Sequence, residues 1–124
     1  MSEPAHEPQI RALFSSLAHA GEPSEADGAR LAVGEAGREA LGTRVRFALL
    51  IAEGRVRSVR YRAYGCPYTL ATCEWLARTL EGRRPDALEI GNPLDWAQRL
   101  EVPAAKLGRL LVIEDALQAA LTQS

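Results

Sequence analysis

From Val45 the apolar residues recur at every second position, and after Gly65 they recur at every third or fourth position and never return to a period of two. Val45, Phe47, Leu49 and Ile51 alternate with Arg44, Arg46 and Ala48 up to a Glu53-Gly54 turn. Val59, Tyr61 and Ala63 then alternate with Ser58, Arg60 and Arg62 up to Tyr64. A second face carrying arginines is a wet face, so the pair predicts an antiparallel hairpin and not the continuously apolar strands of a parallel sheet. Beyond Gly65, the residues Cys66, Leu70, Cys73, Leu76, Ala77 and Leu80 share one helical face down to Gly82. Strands followed only by helices is the order of an α+β domain: a small antiparallel sheet of about three strands packed against helices.

The flanking segments complete that plan. Ile10, Leu13, Phe14, Leu17 and Ala18 lie on one face of an amphipathic helix, which the stretch from His19 to Ser24 interrupts. The Gly-, Ala- and Glu-rich run up to Gly42 predicts a loop with a short edge strand near Arg30 to Glu35. Arg84-Pro85-Asp86 and Asn92-Pro93-Leu94-Asp95 are helix starts. Pro103 opens a last helix with Leu107, Leu110, Leu111, Leu117 and Leu121 on its face, running nearly to Ser124. Residues 1–8 have no apolar period and are expected to be disordered, leaving residues 1–124 as a single domain.

Charge and composition narrow the function classes. A net charge of −1, with 47% apolar and 25% charged residues, gives no reason to expect a nucleic-acid or membrane partner. The hairpin arginines Arg44, Arg46, Arg55, Arg57, Arg60 and Arg62 read as a solvated sheet face, since no aromatic residues are interleaved there for base stacking. Apolar stretches such as residues 48–52 fall far short of the roughly 20 residues that cross a bilayer, and the acidic start has no signal core. The expectation is a cytoplasmic protein. Two cysteines, in a chain long enough to bury a core, indicate no disulfide framework.

Cys66 is the residue to which chemistry points. In Tyr64-Gly65-Cys66-Pro67-Tyr68-Thr69 it stands where a strand ends and a helix begins, and free N–H groups with the positive end of the helix dipole favour a thiolate there. Pro67 fits the first helical position. Cys73 lies two turns deeper on the apolar face and reads as core, as do Trp75 and Trp96. His6 and His19 have no metal-ligand spacing to either cysteine. A glutaredoxin-like thiol site also joins a strand to a helix, but that fold needs strands after the helix, and everything beyond Gly82 reads as helix.

The segment Val59-Arg60-Tyr61-Arg62-Ala63-Tyr64-Gly65-Cys66-Pro67-Tyr68-Thr69-Leu70-Ala71, followed by Trp75-Leu76 and Leu80-Glu81-Gly82-Arg83, resembles the scaffold family of iron–sulfur cluster assembly typified by IscU and the N-terminal domain of NifU. The resemblance covers roughly Gly42 to Leu121 and extends to Leu100-Glu101-Val102-Pro103-Ala104-Ala105-Lys106-Leu107, which is similar to the family's chaperone-recognised segment. It implies a non-enzymatic scaffold-like protein that accepts sulfur, or holds iron or a transient iron–sulfur cluster, through Cys66. No firmly bound cofactor is implied. The implied partners are a cysteine desulfurase and an Hsp70-type chaperone, the latter through Pro103 and Lys106, and a homodimer stays open.

Departures from the family are specific. Scaffolds of this type use three cysteines, an aspartate and a histidine, and only Cys66 has a counterpart. Gly42-Thr43-Arg44 stands in place of Cys-Gly-Asp, and Gly108-Arg109 in place of His-Cys. The resemblance therefore puts Arg44 and Arg109 in the lining of a pocket around Cys66, where they would repel a bare divalent metal and favour an anion or a persulfide. The alternative is a partner-binding module of the assembly machinery that has lost cluster binding.

Overall fold

The computed structural model describes residues 8–24, 28–85 and 91–122. Its elements are α1 (Pro8–Ser15), β1 (Arg30–Arg38), β2 (Thr43–Ala52), β3 (Arg55–Tyr64), α2 (Pro67–Leu80), α3 (Pro93–Leu100) and α4 (Leu107–Thr122). Single turns of 3₁₀ helix at Glu39–Leu41 and Ala104–Lys106 join β1 to β2 and lead into α4. The three strands form one antiparallel sheet in the order β1-β2-β3, as the alternation predicts. Ala52 pairs with Arg55, so the hairpin closes on Glu53 and Gly54 alone, both at positive φ, the conformation that suits the twist of two antiparallel strands.

Both long helices cover one face of this sheet. Gly34, Phe47 and Tyr61 are register partners on that face. A Cβ on Gly34 would fall 2.2 Å from Ala116 O and from Ala120 N, so α4 crosses β1 at backbone contact. Tyr61 reaches α2 through its hydroxyl, which donates to Glu74 at 3.0 Å. Phe47, Leu49, Tyr61, Leu76, Leu80, Trp96, Leu100, Leu110, Ile113 and Leu117 form the centre of a single core. Trp96 is buried within it, while Trp75 is half-buried beneath the Arg99 guanidinium, 5.6 Å from the ring centre.

The free edge of β3 is sealed by three different devices. Val56 exchanges main-chain hydrogen bonds with Gly82 and Arg83 at 2.7 Å each, and the N–H of Val59 donates to the Glu81 carboxylate at 2.8 Å. Tyr61 donates to His19 O at 3.1 Å and accepts from Gly21 N at 2.8 Å. The sheet thus presents no unpaired backbone along this strand at those positions, which removes a template for edge-to-edge association.

Several boundaries differ from the periodicity. Helix α1 ends at Ser15, because the chain must leave the helix to bring His19–Gly21 alongside β3. Strand β1 runs to Arg38 instead of Glu35, its pattern masked by Gly34 and Gly37. Leu111 is exposed, and α4 buries Leu110, Ile113, Ala116, Leu117 and Ala120 instead. The sheet face bearing the arginines is only partly wet, since Ala48 and Leu50 are buried on it. Pro8, expected within a disordered lead-in of residues 1–8, begins α1, while residues 1–7 with His6, and residues 86–90 of the helix expected from Arg84-Pro85-Asp86, lie outside the described residues.

Candidate functional site

Cys66 is the N-cap of α2, with extended backbone (φ −81°, ψ 172°), and its carbonyl accepts the first intrahelical hydrogen bond from Leu70 N at 3.1 Å. Pro67 occupies the first turn. Two features aim the local polar groups at sulfur. Thr69 is fully buried with its hydroxyl oxygen 3.7 Å from Cys66 Sγ. Gly65 permits this, because a Cβ there would lie 2.9 Å from Thr69 Cβ and Oγ1.

These surroundings set the ionisation of the thiol. Partial burial opposes the thiolate, but the N–H and hydroxyl of Thr69, the N–H of Tyr68 and the positive charge of Lys106 outweigh it, holding Cys66 below the usual thiol range. Cys73 is the opposite case. It is fully buried, and burial together with the neighbouring Glu74 charge pushes its thiol far upward. The two cysteines share a helix but not a chemistry.

The cations are distributed differently from the expectation that Arg44 and Arg109 flank Cys66 together. Alternation along β2 sends Thr43 to the helix-covered face and Arg44 to the other face, where Arg44 Nη2 pairs with Glu35 Oε2 at 2.6 Å. Arg44 lines a cleft with Glu35, Glu39, Arg46, Arg62 and Tyr64. Arg109 lines a separate cleft with Thr43 and Gly108, so the β1–β2 connection and the start of α4 do come together as the resemblance implies. Lys106, from the 3₁₀ turn before α4, is the basic residue whose charge bears on the thiol. In the same segment Pro103, Ala104 and Ala105 are exposed and Lys106 is half-buried.

Among the described residues, no group of three or more His, Cys, Asp or Glu side chains is placed to hold a metal ion. The donor set at the start of α2 is one thiolate beside a lysine, which does not complete a tetrahedral shell. A cleft of about 880 Å³ opens near the other end of α2, lined by Trp75, Arg78, Thr79, Arg83, Asp95 and Arg99 among others, and no cysteine lines it.

The matching family model, described as the NifU-like N-terminal domain, covers residues 6–123. The chain belongs to the NifU-like N-terminal domain family. Within it, 52 residues are 50% identical to the bifunctional protein NifU/MnmA of Rubrobacter xylanophilus, covering 41% of this chain and 11% of that protein. Sixty-nine residues are 29% identical to the iron–sulfur cluster assembly scaffold protein IscU of Escherichia coli K12, covering 56% of this chain and 54% of that protein. The chain therefore spans about half the length of one relative and about a tenth of the other. The crystal structure of a nitrogen-fixing NifU-like protein (N-terminal) from Brucella abortus superposes with a TM-score of 0.69 at 17% identity, covering 94% of this chain and 92% of that one, which establishes the shared fold. This NifU-like domain is thus of the iron–sulfur cluster assembly scaffold family, and it carries one thiol at the start of α2.

A polar feature that periodicity missed lies behind the site. Glu74 is fully buried on α2, yet it accepts from His19 N at 3.0 Å, Tyr61 Oη at 3.0 Å and Arg78 Nε at 2.8 Å, and its Oε2 lies 2.6 Å from His19 Nδ1. His19 Nε2 lies 3.1 Å from Glu81, which also takes Arg60 at 3.2 Å. The only signal in the sequence is the Glu74–Arg78 spacing of four residues, which reads as a surface pair. His19 is 55 residues from Glu74, beyond any local pattern.

Proposed function

We infer that this domain acts in iron–sulfur cluster assembly as a sulfur acceptor, with Cys66 as the receiving thiolate. The observation that carries this reading is the half-buried Cys66 at the helix N-terminus, lowered in pKa by Thr69, Tyr68 and Lys106. The Cys66 thiolate attacks the terminal sulfur of a cysteine persulfide on a desulfurase, the donor S–S bond breaks, and its electron pair leaves with the donor cysteine as thiolate. Cys66 then carries the persulfide. The N–H groups and Lys106 that favour a thiolate also favour this anion. The setting is the cytoplasm, where free thiols stay reduced. No described helix is long and apolar enough to cross a membrane.

Iron or a transient cluster is cargo in this reading. Cluster ligation normally involves four sulfurs, so three must come from a second chain or from small thiols. The partner-binding reading is favoured by the exposure of Pro103 to Ala105, the segment similar to the one chaperones recognise. An Hsp70-type chaperone gripping it would also touch Lys106 and so reach the thiol's surroundings.

Incubation with a cysteine desulfurase and cysteine, followed by intact-protein and peptide mass spectrometry, tests the acceptor reading, with Cys66→Ser as control. One added sulfur on the peptide containing Cys66, absent in the variant, is expected. Absence of added sulfur, with calorimetric binding of a Leu100–Leu107 peptide to the chaperone, would favour the module instead.

A further inference from the structure

Several arginines on and beside the sheet pair with carboxylates. Arg44 meets Glu35, Arg46 and Arg62 meet Glu22, Arg60 meets Glu81 and Arg78 meets Glu74. Arg38 and Arg109 form no ion pair among the described residues, and both line the same cleft of about 260 Å³. Among the described residues Arg109 Nε is buried without a hydrogen-bond partner. A buried charged donor left unsatisfied costs free energy unless something supplies an acceptor. Glu35 and Glu39 line the neighbouring clefts around Arg44, one of which Arg38 also borders, and do not line this one.

The remaining walls define the ligand. Thr43 is buried and brings a hydroxyl, Gly108 opens the floor without a side chain, and Leu41 and Val112 supply an apolar side. Two arginines lining one space supply the guanidinium donors that suit a carboxylate or phosphate. We propose that this cleft, formed by the β1–β2 connection and the first turn of α4, binds a small oxyanion through Arg38 and Arg109. The site does not depend on sulfur reaching Cys66, so it goes beyond the acceptor reading.

The test is an NMR titration of the whole chain with sodium butyrate and, separately, with inorganic phosphate, using sodium chloride at matched ionic strength as reference. Saturable shifts of the Thr43, Gly108 and Arg109 amides are expected with an oxyanion and not with chloride. Arg38→Gln and Arg109→Gln should each weaken binding by roughly tenfold, and Arg109→Lys, which keeps the charge but loses the fork, should weaken it less. Arg57→Gln, at an exposed position of the hairpin, should leave it unchanged. Tighter butyrate binding would assign the site to a carboxylate seated against Leu41, and tighter phosphate binding would assign it to a phosphate. Shifts that never saturate, or that persist unchanged in a folded Arg38→Gln/Arg109→Gln double variant, would overturn the proposal. Because Cys66→Ser should bind the same anion, failure here and failure of sulfur acceptance are separate results.

Discussion

Glu74 Oε2 lies 2.6 Å from His19 Nδ1, and the other oxygen of the same fully buried carboxylate takes the His19 main-chain N–H at 3.0 Å. One side chain of α2 thereby holds the segment that seals the edge of β3. Burial alone would raise the Glu74 pKa, but the Arg78, His19 and Tyr61 hydrogen bonds outweigh it and hold the carboxyl below its ordinary 4.5. Its contribution is therefore complete above about pH 4.5 and is lost as pH falls through the lower folded-state value. Glu74→Gln should cost about 3 kcal/mol at pH 7, and urea unfolding of the variant should show a shallower loss of stability on acidification than the natural chain.

Gly34→Ala tests the contact between α4 and β1. The added Cβ would meet main-chain atoms of Ala116 and Ala120 at 2.2 Å, and backbone cannot rotate aside as a side chain can. A loss of about 3 kcal/mol is expected, the upper part of the range for overpacking. A thermal midpoint equal to that of the natural chain would mean that α4 does not lie on the sheet at this distance.

The two cysteines should differ in reactivity by far more than tenfold, roughly, since only Cys66 is both accessible and lowered in pKa. Iodoacetamide at pH 7 should label Cys66 and leave Cys73 unmodified until the protein unfolds. Thr69→Val removes the hydroxyl 3.7 Å from sulfur and Lys106→Gln removes the charge, so each should move the pH profile of labelling upward. Unchanged profiles would mean that neither group acts on the thiol.

The hairpin and the start of α2 were legible because both rest on local rules: alternation about a two-residue turn, and a Gly-Cys-Pro junction that suits a helix start. Strand β1 was legible only to Glu35 because Gly34 and Gly37 carry no side-chain pattern. They are glycines for reasons of close approach, with Gly37 at φ 91° and hemmed by Thr43 O. Leu111 fits the helical face in sequence as well as Leu110 does, and only the tilt of α4 across the sheet decides between them. The site was legible as Cys66 alone. Thr69 stands inside the motif but nothing local marks its hydroxyl as a partner of the sulfur, while the role of Lys106 depends on a turn folding back from 40 residues away. The division of Arg44 and Arg109 between two clefts follows from β2 alternation and could have been read from the hairpin itself. The His19–Glu74 contact could not, since its partners have no sequence relation.

The most direct test of the sulfur-acceptor reading is the mass of the Cys66 peptide after the natural chain is incubated with a cysteine desulfurase and cysteine under anaerobic conditions. One added sulfur on Cys66, none on Cys73, and slower loading in Thr69→Val and Lys106→Gln are expected. An unmodified Cys66 in a chain that instead holds zinc or iron tightly as a monomer would contradict that reading.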